Sequence, residues 1–279
     1  MCELFAVSSK QPSTVSFSLD EFASHGGIKG IHVDGWGIVF YQDYDVQLIR
    51  ETRPASNSEW LRFVRDHQIE SKLILSHIRK ASRGSVSLKN TQPFVREISR
   101  RKHAFAHNGF LNEVDDLNLS GAYLPIGETD SEVAFCYLLD CLEEVWKEKV
   151  PTLNTRANIT GSVFEQLAET GPANFLYCDG EYLFAYGNKR TKPNGIIEPP
   201  GLYYSEMQCC LSNLSTSGFN LKDCAPDLHQ NIVMFASVPL TADEWIPLGC
   251  SELIVAENGK IVHRERLSTW GSTCRPIEP

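Results

Sequence analysis

The chain has 279 residues, of which 42% are hydrophobic and 22% charged, and its formal net charge is −9. This composition is typical of a globular protein, and the acidic balance argues against a nucleic-acid-binding protein, which would carry a basic stripe. The densest basic run, residues 96–103, is interpreted as the exposed tip of a hairpin. The sequence shows neither an apolar run of about 18 residues nor a signal peptide. We therefore expect a cytoplasmic protein that binds neither nucleic acid nor membrane.

The nine cysteines are an odd number and lack the paired CxxC spacing of a zinc site, so we expect buried, reduced thiols. His32 and Asp34 form an H-x-D pair, and His103 and His107 could share one face of a strand. Because no third ligand follows at a suitable spacing, we expect no metal ion. No cofactor is predicted.

The first half of the chain alternates between strand patterns and helix patterns. Alternating or continuous apolar runs predict strands at residues 2–9, 36–41, 46–50, 72–77 and 104–107. The turn-like cluster at residues 42–45 joins two of them in a hairpin. Apolar residues at helical spacing predict helices at residues 57–67, 131–146 and 156–169.

From residue 173 onward the pattern is one of strands, predicted at residues 175–178, 182–186, 232–238, 253–256 and 261–263. The Asp179-Gly180 and Asn258-Gly259 pairs predict tight hairpins, and residues 188–200 predict a loop. Strands, then helices, then strands favour an α+β fold with antiparallel sheets. We expect one domain over residues 1–279, with a C-terminal tail from about residue 265.

Four short segments carry residues of catalytic type and follow one another in chain order. They are MCELF at residues 1–5, SHIRKASRG at 76–84, AHNG at 106–109 and ETDSE at 128–132. DGWG at residues 34–37 and NTQPF at 90–94 accompany them. Together they resemble the class II glutamine amidotransferases over residues 1–132. The resemblance implies the four-layer αββα sandwich of the N-terminal-nucleophile hydrolases.

The resemblance implies that Cys2 is the nucleophile once Met1 is removed. A free cysteine has a pKa of about 8.5, so little thiolate exists at neutral pH without a base. A terminal α-amino group, with a pKa of roughly 7.7–8.0, can serve as that base. The Cys2 amine could therefore activate its own thiol.

The same resemblance assigns the Asn108 side chain and the Gly109 backbone N–H to the oxyanion hole. It assigns Arg79 to the substrate α-carboxylate, Asp130 to the α-ammonium, and Ser82 to a further substrate contact. A purely structural role stays open for each of these residues. Asn108-Gly109 could form a hairpin turn, Arg79 a surface ion pair, and Asp130 a helix cap or first-turn carboxylate.

Further residues in or near these segments are interpreted as packing or supporting residues. His77 and His107 are expected to pack or to support the site, and Trp36 to wall the pocket or pack in the core. Arg83 stands where related synthases often carry histidine, which leaves the contact next to Ser82 open.

We therefore predict an amidotransferase or glutaminase that hydrolyses a γ-glutamyl amide through a cysteinyl thioester, releasing ammonia or an amine. Because the chain ends at Pro279, we expect no synthase domain within it. The enzyme would then pass ammonia from glutamine to a separate synthase subunit, or act as a γ-glutamyl hydrolase on a larger γ-glutamyl amide or peptide. A non-catalytic glutamyl-binding or regulatory subunit is a third hypothesis, which the intact Cys2, Asn108 and Gly109 disfavour.

Overall fold

The computed structural model describes residues 2–14, 16–112, 114, 117–192, 194–210 and 229–267. Its α-helices are α1 (Ser16–Ser24), α2 (Glu59–His67), α3 (Asp130–Glu148) and α4 (Leu153–Glu169). Its strands are β1 (Glu3–Ser13), β2 (Trp36–Gln42), β3 (Asp45–Glu51), β4 (Ser71–Ile78), β5 (Phe94–Ile98), β6 (Arg101–Gly109), β7 (Ala173–Cys178), β8 (Leu183–Gly187), β9 (Arg190–Thr191), β10 (Ile197–Glu198), β11 (Tyr203–Cys210), β12 (His229–Ala236), β13 (Ile246–Pro247), β14 (Glu252–Glu257) and β15 (Lys260–Arg266).

Most strands lie in two antiparallel sheets. The first has the order β13-β11-β12-β1-β4-β2-β3, and the second has the order β15-β14-β8-β7-β6-β5. Strand β1 is central in the first sheet, where it pairs with β4 on one side and β12 on the other. The chain therefore starts in the middle of a sheet, and its first residues are held from both sides.

Alternation along β1 assigns each side chain to one of two layers, because successive residues of a strand point to opposite faces. Phe5 and Val7 pack outward in one apolar cluster with Phe22 of α1 and Leu61 of α2. Leu4 and Ala6 pack inward, in a second cluster. The first sheet is thus covered by helices on one face only.

The second sheet is arranged in the same way. On its outer face, Phe105 and Phe175 pack against Phe135 of α3 and Phe164 of α4. On its inner face, alanines such as Ala106 meet the inward residues of the first sheet. Helices, sheet, sheet and helices form four layers, so the predicted α+β sandwich of αββα type is confirmed.

The strongest local signals of the sequence are confirmed. Gly180 has φ +87°, and Asn258 and Gly259 have φ +48° and +71°, as tight hairpin turns require. The basic run at residues 96–103 forms the β5–β6 hairpin, whose tip residues Ser99 and Arg100 are exposed. The predicted loop at residues 188–200 is wrong in part, because β9 and β10 pair there as a short ribbon.

The predicted chain end is only partly described. Strand β15 continues to Arg266, and residues 268–279 of the expected tail lie outside the described residues. Within the described part of the chain, none of the helices is long and apolar enough to cross a membrane.

Candidate active site

The start of β1, the end of β6 and the residue after β12 meet between the two sheets. Leu4 and Ala6 point inward on β1, so the same alternation places Cys2 on that side. On β6, Ala104 and Ala106 point inward, and Asn108 follows at the same spacing. The site is thus built from strand ends that belong to both sheets.

Cys2 is partly buried and lies against the backbone of Lys80. Its Sγ is 3.3 Å from the Lys80 nitrogen and 3.4 Å from the Lys80 carbonyl oxygen. Burial raises the pKa of the thiol, although the backbone hydrogen bond to Lys80 and the charge of Arg79 oppose the rise. The thiol is therefore protonated at neutral pH, and nucleophilic attack requires a base. Met1, whose removal would free such a base, lies outside the described residues.

Arg79 is held by its own loop. Its guanidinium donates from Nη1 to the Ser85 carbonyl at 3.0 Å, and from Nη2 to the carbonyls of Arg83 at 3.0 Å and Gly84 at 3.2 Å. The residue is only 3% exposed, so the alternative of a surface ion pair is wrong. Burial lowers the pKa of Arg79, and the charges of Cys2 and Asp34 oppose that effect.

The loop after Arg79 is tied down at both ends. Near its start, the Ala81 N–H donates to the Asp34 carboxylate at 2.8 Å. Further along, Glu128 accepts from the Ser85 N–H at 3.2 Å and from Asn90 at 3.0 Å. Hydrogen bonds, first from Lys89 and then from Asn90, lower the pKa of Glu128 to about 2. Ser82 is exposed on this loop, and a substrate contact by its hydroxyl stays a prediction.

Asn108 and Gly109 end strand β6, where they pair with Asn174 and Ala173 of β7. The alternative of a hairpin turn is therefore wrong. A Cβ at Gly109 would lie 1.9 Å from the Pro172 carbonyl oxygen, so this close approach of two backbones admits glycine alone.

The Asn108 side chain connects the two sheets. Its Nδ2 lies 3.0 Å from Ser237 Oγ, and Ser237 Oγ also accepts from the Leu4 N–H at 3.0 Å. The other end of the amide, Oδ1, is buried and has no hydrogen-bond partner among the described residues. The amide is thus coupled, through one serine, to strand β1, which directly follows Cys2.

Asp130 is the first residue of α3, directly after the N-cap Thr129. Its Oδ2 accepts from the Leu111 N–H at 2.8 Å and so anchors the segment that follows β6. The first-turn interpretation is therefore confirmed. The charge of Asp130 also raises the pKa of the Cys2 thiol, so the two residues are within electrostatic reach of each other.

The buried histidines are neutral supports. Burial lowers the pKa of His107 to about 4 and that of His103 to about 3, and it lowers the pKa of His77 well below its usual range. His107 Nδ1 lies 2.9 Å from Ser131 Oγ, at the start of α3. Trp36 packs in the outer core of the first sheet, so its core alternative is confirmed. In the part of the chain that the structure describes, no three His, Cys, Asp or Glu side chains cluster closely enough to hold a metal ion.

Comparison with known proteins agrees with this geometry. The sequence model of the family described as "Glutamine amidotransferases class-II" matches residues 1–276. The chain belongs to this family. This class II glutamine amidotransferase is 38% identical over 186 residues to a protein of Escherichia coli named "Putative glutamine amidotransferase YafJ". The match covers 67% of this chain and 72% of that protein. The chain is also 34% identical to an uncharacterized protein of Methanocaldococcus jannaschii, over 96% of this chain and 73% of that protein.

Solved structures show the same fold. A predicted glutamine amidotransferase from Pseudomonas aeruginosa superposes with a TM-score of 0.65 at 27% identity, covering 94% of this chain and all of that one (100%). Glutamine phosphoribosylpyrophosphate amidotransferase of Bacillus subtilis superposes with a TM-score of 0.60 at 16% identity, covering 96% of this chain and 49% of that chain. At that identity the likeness concerns the fold alone.

Proposed function

We propose that this class II glutamine amidotransferase hydrolyses the side-chain amide of glutamine, with Cys2 as the nucleophile. One observation carries the proposal: strand β1, which directly follows Cys2, is hydrogen-bonded, through Leu4 and Ser237, to the amide of Asn108. This arrangement supports a nucleophile and an oxyanion donor acting on the same carbonyl group. Arg79 and Asp130 supply charges of opposite sign near the thiol, as a zwitterionic amino acid requires.

The proposed reaction starts from a chain that begins at Cys2. The free α-amine takes the thiol proton, and the thiolate sulfur attacks the amide carbon of glutamine. The carbonyl oxygen becomes an oxyanion that accepts hydrogen bonds from the Asn108 side chain and the Gly109 N–H. The amine then returns the proton to the leaving nitrogen, ammonia departs, and a γ-glutamyl thioester remains. Water, deprotonated by the same amine, cleaves the thioester to glutamate and free Cys2.

Binding is proposed to use the two ends of the substrate. The Arg79 guanidinium, fixed by the loop carbonyls, would bind the α-carboxylate. Asp130, fixed by the Leu111 N–H, would bind the α-ammonium. Both groups recognise the glutamyl half, so the leaving group is left open. Ammonia transfer to a separate acceptor and hydrolysis of a larger γ-glutamyl amide are therefore distinguished by substrate, not by these residues.

The test uses protein whose intact mass shows that Met1 is absent. We expect release of glutamate and ammonia from glutamine, and loss of at least about 10³-fold in kcat for Cys2→Ala, because no other group replaces the nucleophile. Cys141→Ala removes another partly buried free thiol, on α3, and should leave the rate unchanged.

Three outcomes would contradict parts of this proposal. If Met1-free protein released glutamate from γ-glutamyl peptides but not from glutamine, the substrate would be a larger amide. If neither class of substrate turned over, the chain would be a glutamyl-binding protein. If Cys2→Ala kept the wild-type rate, Cys2 would not be the nucleophile.

A further inference from the structure

Ser237 lies outside the short segments that carry the resemblance to the family, yet it contacts the proposed oxyanion donor. It follows the last residue of β12 and is fully buried, with 0% of its surface exposed. Val233 and Phe235 of β12 point inward between the sheets, and Ser237 continues that alternation. The residue therefore lies in the layer where the inward faces of the two sheets meet.

Its backbone is fixed from two directions. The Ser237 N–H donates to the Leu4 carbonyl at 3.0 Å. The Leu4 N–H donates to Ser237 Oγ instead of to the Ser237 carbonyl oxygen, and that carbonyl accepts from Nη1 of the buried Arg190. The side chain has thus taken the place of the backbone in the ladder between β1 and β12. As a result, Oγ is held at a defined position beside Asn108.

The hydrogen bonds of the Asn108 amide are incomplete in this arrangement. Nδ2 is directed at Ser237 Oγ, while the buried Oδ1 lacks a partner in the described part of the chain. An oxyanion needs the donor, not the acceptor, at the free end of the amide. A hydroxyl can donate as well as accept, and it rotates to suit its neighbours. Turning the amide by 180° about Cβ–Cγ would let the Ser237 hydroxyl donate to Oδ1 and would free Nδ2.

We propose that Ser237 is a positioning residue that orients the Asn108 amide, so that Nδ2 faces the oxyanion while the Ser237 hydroxyl donates to Oδ1. This inference rests on the proposed function and adds a specific hydroxyl to it. The Leu4 N–H continues to donate to Ser237 Oγ in both orientations. The oxygen therefore accepts one hydrogen bond from the nucleophile's strand and donates one to the oxyanion donor.

The first experiment compares Ser237→Ala with Ser237→Thr in Met1-free protein. Without the hydroxyl, the amide loses the partner that distinguishes its two ends. We expect kcat for glutamine to fall by about 10²-fold in Ser237→Ala, the lower end of the loss known for a missing oxyanion donor. KM should stay within about threefold, because the interaction is made in the transition state. Ser237→Thr keeps the hydroxyl and should retain kcat within about threefold.

Ser8→Ala is the matched control for stability. Ser8 is also fully buried, on the same β1 strand as Leu4, and its Oγ accepts a backbone N–H, that of Gly259, at 3.1 Å. Both alanine variants lose a buried acceptor of a backbone donor, so their unfolding midpoints should fall by similar amounts. Only Ser237→Ala should lose kcat.

A double-mutant cycle separates positioning from a general structural effect. If Ser237 acts through Asn108, then adding Ser237→Ala to Asn108→Ala should lower kcat by less than about twofold further. An equal loss in both backgrounds, or a Ser237→Ala enzyme with wild-type kcat, would overturn the positioning role while leaving the proposed function intact. Absence of turnover in the wild type, on glutamine and on γ-glutamyl peptides alike, would overturn both.

Discussion

Next to Cys2, a buried acidic side chain contacts a histidine. Glu3, the residue after Cys2, is 5% exposed, and its Oε2 lies 2.6 Å from His25 Nδ1. His25 also approaches Glu21, at 3.4 Å. The hydrogen bond to Glu3 is the main cause that raises the pKa of His25, against the opposing effect of burial. The start of β1 is therefore tied to α1 by a contact that depends on pH.

This contact predicts a pH-dependent stability. Because the pKa of His25 is higher in the folded than in the unfolded protein, protonation favours the fold. The contribution is complete below the unfolded pKa of about 6.5 and is lost as the pH rises through the folded value. We expect the difference in free energy of unfolding between wild type and His25→Gln to be largest below the unfolded pKa of about 6.5 and to shrink as the pH rises through the raised folded pKa. Urea unfolding across this range measures it, and a difference that does not vary with pH would contradict the assignment.

The residues of the candidate site differ in how readily the sequence reveals them. Cys2, Arg79, Ser82, Asn108, Gly109 and Asp130 are predicted because each lies in a short segment that resembles the family. Ser237 was missed because it is a single serine, 129 residues away from Asn108. Its position depends on the antiparallel pairing of β1 with β12. The local sequence of a strand does not indicate which distant strand it pairs with.

At the scale of elements, the helix that carries Asp130 begins with a side-chain cap. The Thr129 side chain accepts from the Glu132 N–H at 3.3 Å, which satisfies one of the free donors at the start of α3. Helix α4 has the same device, since Thr152 accepts from the Thr155 N–H at 3.3 Å. One cap adjoins the site and the other is exposed, away from the motif residues. The pair therefore allows the effect of a cap on stability to be separated from its effect on the site.

We predict that Thr129→Ala and Thr152→Ala each destabilise the fold by about 1 kcal/mol, the usual cost of a lost N-cap. Only Thr129→Ala should also raise KM for glutamine, because Asp130 is the next residue and is proposed to bind the substrate ammonium. A loss of about 1 kcal/mol in that contact corresponds to roughly a fivefold rise. Steady-state kinetics of the two variants is the measurement. Equal KM values would argue that Asp130 keeps its position without the cap.

Elements with a strong local pattern were predicted, and those that depend on their neighbours were not. The α3 prediction, residues 131–146, differs from Asp130–Glu148 only at its ends, because its apolar face is continuous. Helix α1, with nine residues and three serines, was missed. Strand β11 was missed as well, since its sequence mixes Ser205, Glu206 and Gln208 among apolar residues. Pairing with β12 along its whole length compensates for that weak pattern.

At the scale of the whole molecule, the layer between the sheets mixes large apolar side chains with several small ones. Five of its members are alanines, namely Ala6, Ala104, Ala106, Ala185 and Ala256. Small residues let the two sheets approach closely, and a well-packed interior resists added volume. Ala106 lies two residues before Asn108 on the same face of β6. Strand β6 therefore carries both Ala106, which packs between the two sheets, and Asn108.

We predict that Ala106→Leu destabilises the protein by about 1–3 kcal/mol, the usual cost of overpacking a core. Because the added volume pushes β6 from the first sheet, kcat should fall as well. Ala122→Leu, at an exposed position, is the control and should change stability by less than about 0.5 kcal/mol. Urea denaturation and initial rates measure both effects. Wild-type kcat in a destabilised Ala106→Leu protein would show that Asn108 does not depend on sheet spacing.

The central place of β1 also has a consequence for biosynthesis. Its partner β12 spans His229–Ala236, so the first sheet cannot close until more than two hundred residues have followed Cys2 out of the ribosome. At about 5–20 residues per second, this takes roughly 10–50 s. Throughout that interval the amino end has no β12 beside it and is open to a ribosome-associated aminopeptidase. Removal of the first residue can thus precede the pairing of β1 with β12, and the nascent chain carries the Cys2 thiol for roughly 10–50 s before Ser237 can contact Leu4 and Asn108.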